Sequence, residues 1–167
     1  MLEIAIDADE EWDSSRSWDD LARKAAAAAI AQSDYPGLAE AERAVEISVT
    51  LTGDDEVRAL NAQWRGKDKA TNVLSFPMSD ERDLARANVA GPELLLGDII
   101  LARGVCSAEA VEKGVSVEQH AAHLIVHGTL HLLGYDHHDD GQAEDMEARE
   151  VRALASLGIA NPYEVTA

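Results

Sequence analysis

All six histidines of this 167-residue chain fall between positions 120 and 138, and the stretch that carries them constrains its shape more than any other. Ser116 and Gln119 make a capping box at the head of an apolar run, and Gly134 stands where a left-handed C-cap residue is wanted. Together they predict a helix from Ser116 to Leu133. His127 and His131 are four apart, so their rings share one face of that helix. Gly134 then lets the chain turn back, and His137, six residues after His131, can reach the same point. HGTLHLLGYDH, from His127 to His137, therefore reads as HxxxHxxGxxH.

Around this helix the sequence predicts one α+β domain over residues 1–167, with about four strands in a mixed sheet packed by about five helices. Leu2, Ile4 and Ile6 give a weak strand signal, and the Ala-rich stretch from Trp18 to Ser33 reads as a helix ended by Tyr35, Pro36 and Gly37. Val45, Ile47, Val49 and Leu51 alternate with polar residues, the clearest half-buried strand. Thr52 to Asp55 offers N-cap chemistry for a helix to about Trp64. Arg65 to Asn72 is polar and turn-prone, Val73 to Phe76 is a short strand closed by Pro77, and Met78 to Pro92 is loop-like. Leu94 to Ala102 reads as a buried strand with Gly97 and Asp98 as its irregular centre. Ser107 to Lys113 and Gly141 to Leu157 supply helices stopped by Gly114 and Gly158.

Composition bounds the chemistry. Hydrophobic residues make up 46% and charged residues 28%, which suits a globular chain despite a net charge of −18 and 32 acids against 14 bases. Such an excess of acid excludes a general nucleic-acid coat, whose affinity comes from many Lys and Arg contacts to phosphate. With three Trp, three Tyr and one Phe, a stacking platform of the single-strand-binding type is not expected either. The lone Cys106 cannot form an internal disulfide and reads as a small buried apolar residue, in keeping with a reducing cytoplasm. Positions 1 to 20 hold eight acids and one base, the reverse of a signal peptide's basic start, and the longest apolar run, Ala25 to Ala31, is too short to cross a bilayer. The expectation is a cytoplasmic protein with no membrane association.

Three imidazoles with a fourth position left for water are a common way to hold catalytic zinc, whereas structural zinc sites close with four ligands rich in thiolate. One cysteine rules out the latter. Other divalent ions also accept imidazole. His123, a turn before His127, is a competing ligand; His120 and His138 are expected to be solvated or to stand behind the ligands, with Asp136 or Asp139 orienting a ligand ring. Metzincin peptidases share the spacing as HExxHxxGxxH, but their general-base Glu is here Gly128, which leaves a metallopeptidase as a rival without its base. Arg58 to Lys69 holds four bases, Arg58, Arg65, Lys67 and Lys69, against Asp68. Such a run is commonly a solvated loop. Beside a metal-activated water, however, an arginine fork that clamps phosphate points to phosphodiester hydrolysis.

RGKDKATNVLSFP (Arg65 to Pro77), LLGDI (Leu95 to Ile99) and AHLIVHGTLHLLGYDH (Ala122 to His137), in this order and approximate spacing, resemble the YbeY family of bacterial metal-dependent endoribonucleases. The likeness runs from Ile47 to Tyr163 and includes the closing NPY; Ala70 departs from the family's usual Pro. The resemblance implies zinc on His127, His131 and His137, and a functional role for Arg65. It further implies cleavage of single-stranded RNA in ribosome biogenesis, notably maturation of the 16S rRNA 3′ end and ribosome quality control. The implied partners are rRNA, the small ribosomal subunit and ribosome-associated proteins, with no DNA. Lys67 and Lys69 are expected to bind substrate phosphates as point charges. The rival from another class is a noncatalytic, zinc-containing ribosome-assembly factor.

Overall fold

The computed structural model describes residues 1–13, 17–87 and 91–163. Strand β1 (Leu2–Ala8) precedes helix α1 (Trp18–Ala31), a 3-10 turn (Pro36–Glu40) and β2 (Val45–Thr52). Then come α2 (Asp54–Arg65), β3 (Val73–Pro77), the short α3 (Glu81–Ala85) and β4 (Leu94–Ala102). Helices α4 (Arg103–Lys113), α5 (Val117–Leu132) and α6 (Asp140–Ser156) complete the order. The strands form one mixed sheet in the order β1-β2-β4-β3, parallel except for β3, which runs antiparallel to β4. The α+β expectation is met, with six helices among the described residues instead of about five.

Hydrophobic alternation sets the sheet. In β2, Val45, Ile47, Val49 and Leu51 are buried while Glu46, Ser48 and Thr50 are half-buried. In β4 the buried residues change phase, from Leu94 and Leu96 to Ile99 and Leu101. A register shift makes the change: Glu46 faces Leu95, but Ile47 faces Gly97, leaving Leu96 as an extra residue. Gly97 has φ of 144°, and a Cβ there would lie 2.3 Å from the Phe76 carbonyl oxygen, so only glycine fits the irregular centre. Each such burial is worth about 1.5–3 kcal/mol, so the bulge decides which residues of β4 contribute to the core.

Helix α1 brings a stripe of alanines, Ala22, Ala25, Ala26 and Ala29, without solvent exposure, and packs on α5 and α6. Small residues let the two backbones approach closely. Helix α5 lies on the sheet against β3 and β4, and eleven of its sixteen residues are buried. Cys106 of α4 is buried as expected, and burial pushes its thiol up to about 12. No described helix is long and apolar enough to cross a membrane.

The loop expectation for Met78 to Pro92 is corrected by α3, opened by a reciprocal capping box between Asp80 and Asp83. Helix α4 begins at Arg103 and not at Ser107. Asp54, at the start of α2, accepts a hydrogen bond from the Val105 N–H (3.1 Å), and Gly104 leaves room for that carboxylate. The α2 N-cap is Gly53, without a side-chain bond; Thr52 instead bonds Glu56 through its hydroxyl.

Candidate metal centre

Helix α5 opens on the Ser116–Gln119 capping box and ends as the sequence requires. Gly134 takes φ of 95°, its N–H reaches the His131 carbonyl (3.0 Å), and the Tyr135 N–H reaches Leu130 (3.0 Å). That turn carries His137 back beside α5. One ring nitrogen from each of His127, His131 and His137 lies within 4.8 Å of the others, and the Nε2 atoms of His127 and His131 are 3.0 Å apart. Three imidazole donors within that reach are a set that would hold one ion, with zinc–nitrogen bonds of about 2.0–2.1 Å. Burial and the neighbouring His127 push His131 down to about 4, so its ring is neutral at pH 7 with a lone pair to offer. His137 is exposed and His127 and His131 are half-buried, so the cluster opens to solvent on one side.

Behind His127 stands Glu150 of α6, a carboxylate with no solvent exposure. Its Oε1 meets His127 Nδ1 and its Oε2 accepts the Tyr163 hydroxyl, while His123 Nε2 lies 3.8 Å away. Burial opposes ionisation of Glu150, yet the nearby His123 ring and the hydrogen bonds with His127 and Tyr163 hold its carboxyl down at about 2. An ionised acceptor at Nδ1 fixes the ring's tautomer and leaves Nε2 free to ligate. Neither expected aspartate does this work. Asp136 accepts the His137 backbone N–H (2.8 Å) and pairs with His138 (2.8 Å); Asp139 caps α6 through the Gln142 N–H (2.7 Å). Glu150 was hidden in an acidic run, but it shares the apolar stripe of α6 with Met146 and Leu154, and a carboxylate on that stripe was the available signal.

The remaining histidines separate from the cluster. His123 Nε2 lies 3.2 Å from the Tyr163 hydroxyl, and its buried Nδ1 has no hydrogen-bond partner among the described residues. His120 is buried and not solvated; its Nε2 meets Glu109 Oε1 at 2.8 Å, and Asn72 donates to the same carboxylate at 3.0 Å. His138 is exposed as expected.

Arg65, Lys67 and Lys69 are all exposed, on the last turn of α2 and the connection to β3. None has an ion pair among the described residues. Arg58 does, forming a bidentate pair with Asp68 (2.8 and 3.2 Å) that consumes the connection's one acid. Gly66 in the left-handed region ends α2, and the Asn61 amide donates to the Lys69 carbonyl (2.9 Å), tying the connection back to the helix. No hydrogen bond or ion pair joins the three cations to the histidines. Their connection runs into Asn72 and Val73, which line a cavity of about 220 Å³ together with His123, His127 and Tyr163.

Gly128, at the position of the metzincin base, is buried against the sheet, and a Cβ there would lie 3.0 Å from Ile99. A side chain there would press on Ile99, and the position carries no acid, so the peptidase alternative lacks its base. A family profile described as "Endoribonuclease YbeY" matches residues 6–158. The chain belongs to the YbeY endoribonuclease family. Similar YbeY proteins, each named "Endoribonuclease YbeY", include one from Rhizorhabdus wittichii, 54% identical over 168 residues and covering 99% of both chains. One from Sphingopyxis alaskensis is 54% identical over 165 residues, covering 98% of both. The fold is also similar to the solution structure of TM1509 from Thermotoga maritima, with a TM-score of 0.53 at 22% identity, covering 99% of this chain and 97% of that one. The family resemblance and the enzyme class expected from sequence are borne out.

Proposed function

We propose that residues 1–167 work as one metal-dependent hydrolase domain, an endoribonuclease that cuts single-stranded RNA with Zn²⁺ on His127, His131 and His137. The observation that carries this reading is the convergence of three imidazoles, one of them pinned by a buried carboxylate. A cation held there supplies Lewis acidity toward a phosphoryl oxygen and a water of lowered pKa, near ~7 for zinc.

The chain's own groups do the rest. Glu150 keeps His127 in its ligating tautomer, and the neutral ring of His131 keeps its lone pair at pH 7. Arg65, without a carboxylate partner among the described residues, binds the scissile phosphate and steadies charge that develops on it. Lys67 and Lys69 hold neighbouring phosphates and position the strand. In the cell the substrate is the 3′ end of 16S rRNA, met in the cytoplasm on the small ribosomal subunit with its associated proteins, in maturation and in quality control.

The test is cleavage of a labelled single-stranded RNA by purified, metal-loaded protein. His131→Ala and Arg65→Ala should each abolish cutting while circular dichroism stays unchanged, and chelation should do the same reversibly. Wild-type protein that retains its metal but leaves RNA intact would favour the noncatalytic assembly factor. Product ends distinguish attack by water from attack by the RNA's own 2′-hydroxyl.

A further inference from the structure

Two of the three tryptophans are buried: Trp12 and Trp18 are 1% and 5% exposed and pack edge to face. Trp64 is 65% exposed. Helical spacing would make it the next member of a buried stripe after Val57 and Asn61. The stripe stops at Asn61, which turns its amide to the Lys69 carbonyl and leaves the indole on the surface. Trp64 therefore contributes little to the core, and it stands one residue before Arg65 and three before Lys67.

The surroundings of this ring are unusual for the molecule. Acids outnumber bases 32 to 14, yet Arg65, Lys67 and Lys69 are exposed and unpaired among the described residues because Arg58 has already engaged Asp68. An accessible π-face beside unpaired cations is the combination that holds single-stranded nucleic acid: the ring takes a base and the cations take the flanking phosphates. An apolar protein partner would have to cover the indole while desolvating those cations, a less favourable fit. The scarcity of aromatic residues excludes a row of stacking rings but leaves room for one.

We propose that Trp64 is a base-stacking subsite for single-stranded RNA, flanked by phosphate contacts from Lys67 and Lys69. The proposal rests on the nuclease reading above and deepens it. It gives single-strand selectivity a physical source, since the face of a base stacked inside a duplex is closed to an indole. A strand following the connection from Trp64 to Asn72 arrives at the cavity that His127 lines.

Of the three tryptophans only Trp64 is exposed, so a base stacked on it quenches its share of the tryptophan emission, and the Trp64→Ala variant isolates that share. Metal-loaded, full-length protein is titrated with a short 2′-O-methyl RNA single strand and, separately, with the matching duplex. Saturable quenching by the single strand and none by the duplex is expected. Trp64→Ala should lose the quenching and weaken Kd by roughly 5- to 150-fold, the equivalent of about 1–3 kcal/mol per stacked base, whereas Trp64→Phe should retain most of the affinity. Equal quenching by the duplex, or an unchanged Kd in Trp64→Ala, would overturn the proposal and leave the indole to a protein partner. Wild-type protein that neither binds nor cuts single strands would sink the nuclease reading itself. Full cleavage and binding by Trp64→Ala would sink only the subsite.

Discussion

Glu150 shows how much a single buried charge can organise. A carboxylate without solvent contact is costly unless its oxygens are satisfied, and here both are, by His127 and by Tyr163. Tyr163 is held un-ionised by its own burial and by the adjacent carboxylate. Glu150→Gln keeps the volume but removes the charge that favours an Nδ1–H tautomer. Its affinity for Zn²⁺, measured against a competing chelator, should fall about 10- to 100-fold, with a smaller loss in Tyr163→Phe. An unchanged affinity in both variants would show that the carboxylate does not position the ligand. At this scale the sequence was partly legible. The histidine spacing and Gly134 identified a candidate triad because those contacts are local. Glu150 lies 23 residues beyond His127, and only the packing of α6 on α5 brings it there.

Among the elements, α5 does most to define the site, since one of its faces carries His127 and His131 while Gly128 rests on Ile99. Restoring the peptidase acid by Gly128→Glu should therefore create no proteolysis. It should instead destabilise the fold by about 3–5 kcal/mol, through overpacking and an unpaired buried charge, seen as an earlier midpoint in urea unfolding. A wild-type midpoint would contradict this account. The helices that escaped sequence reading share a cause. Helix α3 has five residues, too few to show a period, and is marked only by its Asp80–Asp83 capping box. The first turn of α4 looks broken by Gly104, but its Val105 N–H is capped by Asp54 from another element. The alternation of β2 and the capping box of α5 were readable because each depends on neighbours in sequence.

For the whole molecule, net charge and local charge make opposite statements about RNA. A total of −18 repels a polyanion, while three exposed cations at the end of α2 and on the connection to β3, without an ion pair among the described residues, attract it. Binding of naked single strands should accordingly be weak. With about 0.7 of an ion released per phosphate contact on single strands, three contacts give a log–log salt slope of roughly −2. A much steeper slope would mean phosphate contacts beyond Arg65, Lys67 and Lys69. A slope that shallow would mean that other surfaces guide the protein to its substrate, and the lone thiol offers a way to look for them. Cys106 is fully buried and its pKa is pushed up to about 12, so thiol reagents at neutral pH should pass it by. A cysteine introduced by Lys67→Cys would then be the single labelling point of the native chain. A photo-crosslinker attached there would report which macromolecule lies within reach of the connection.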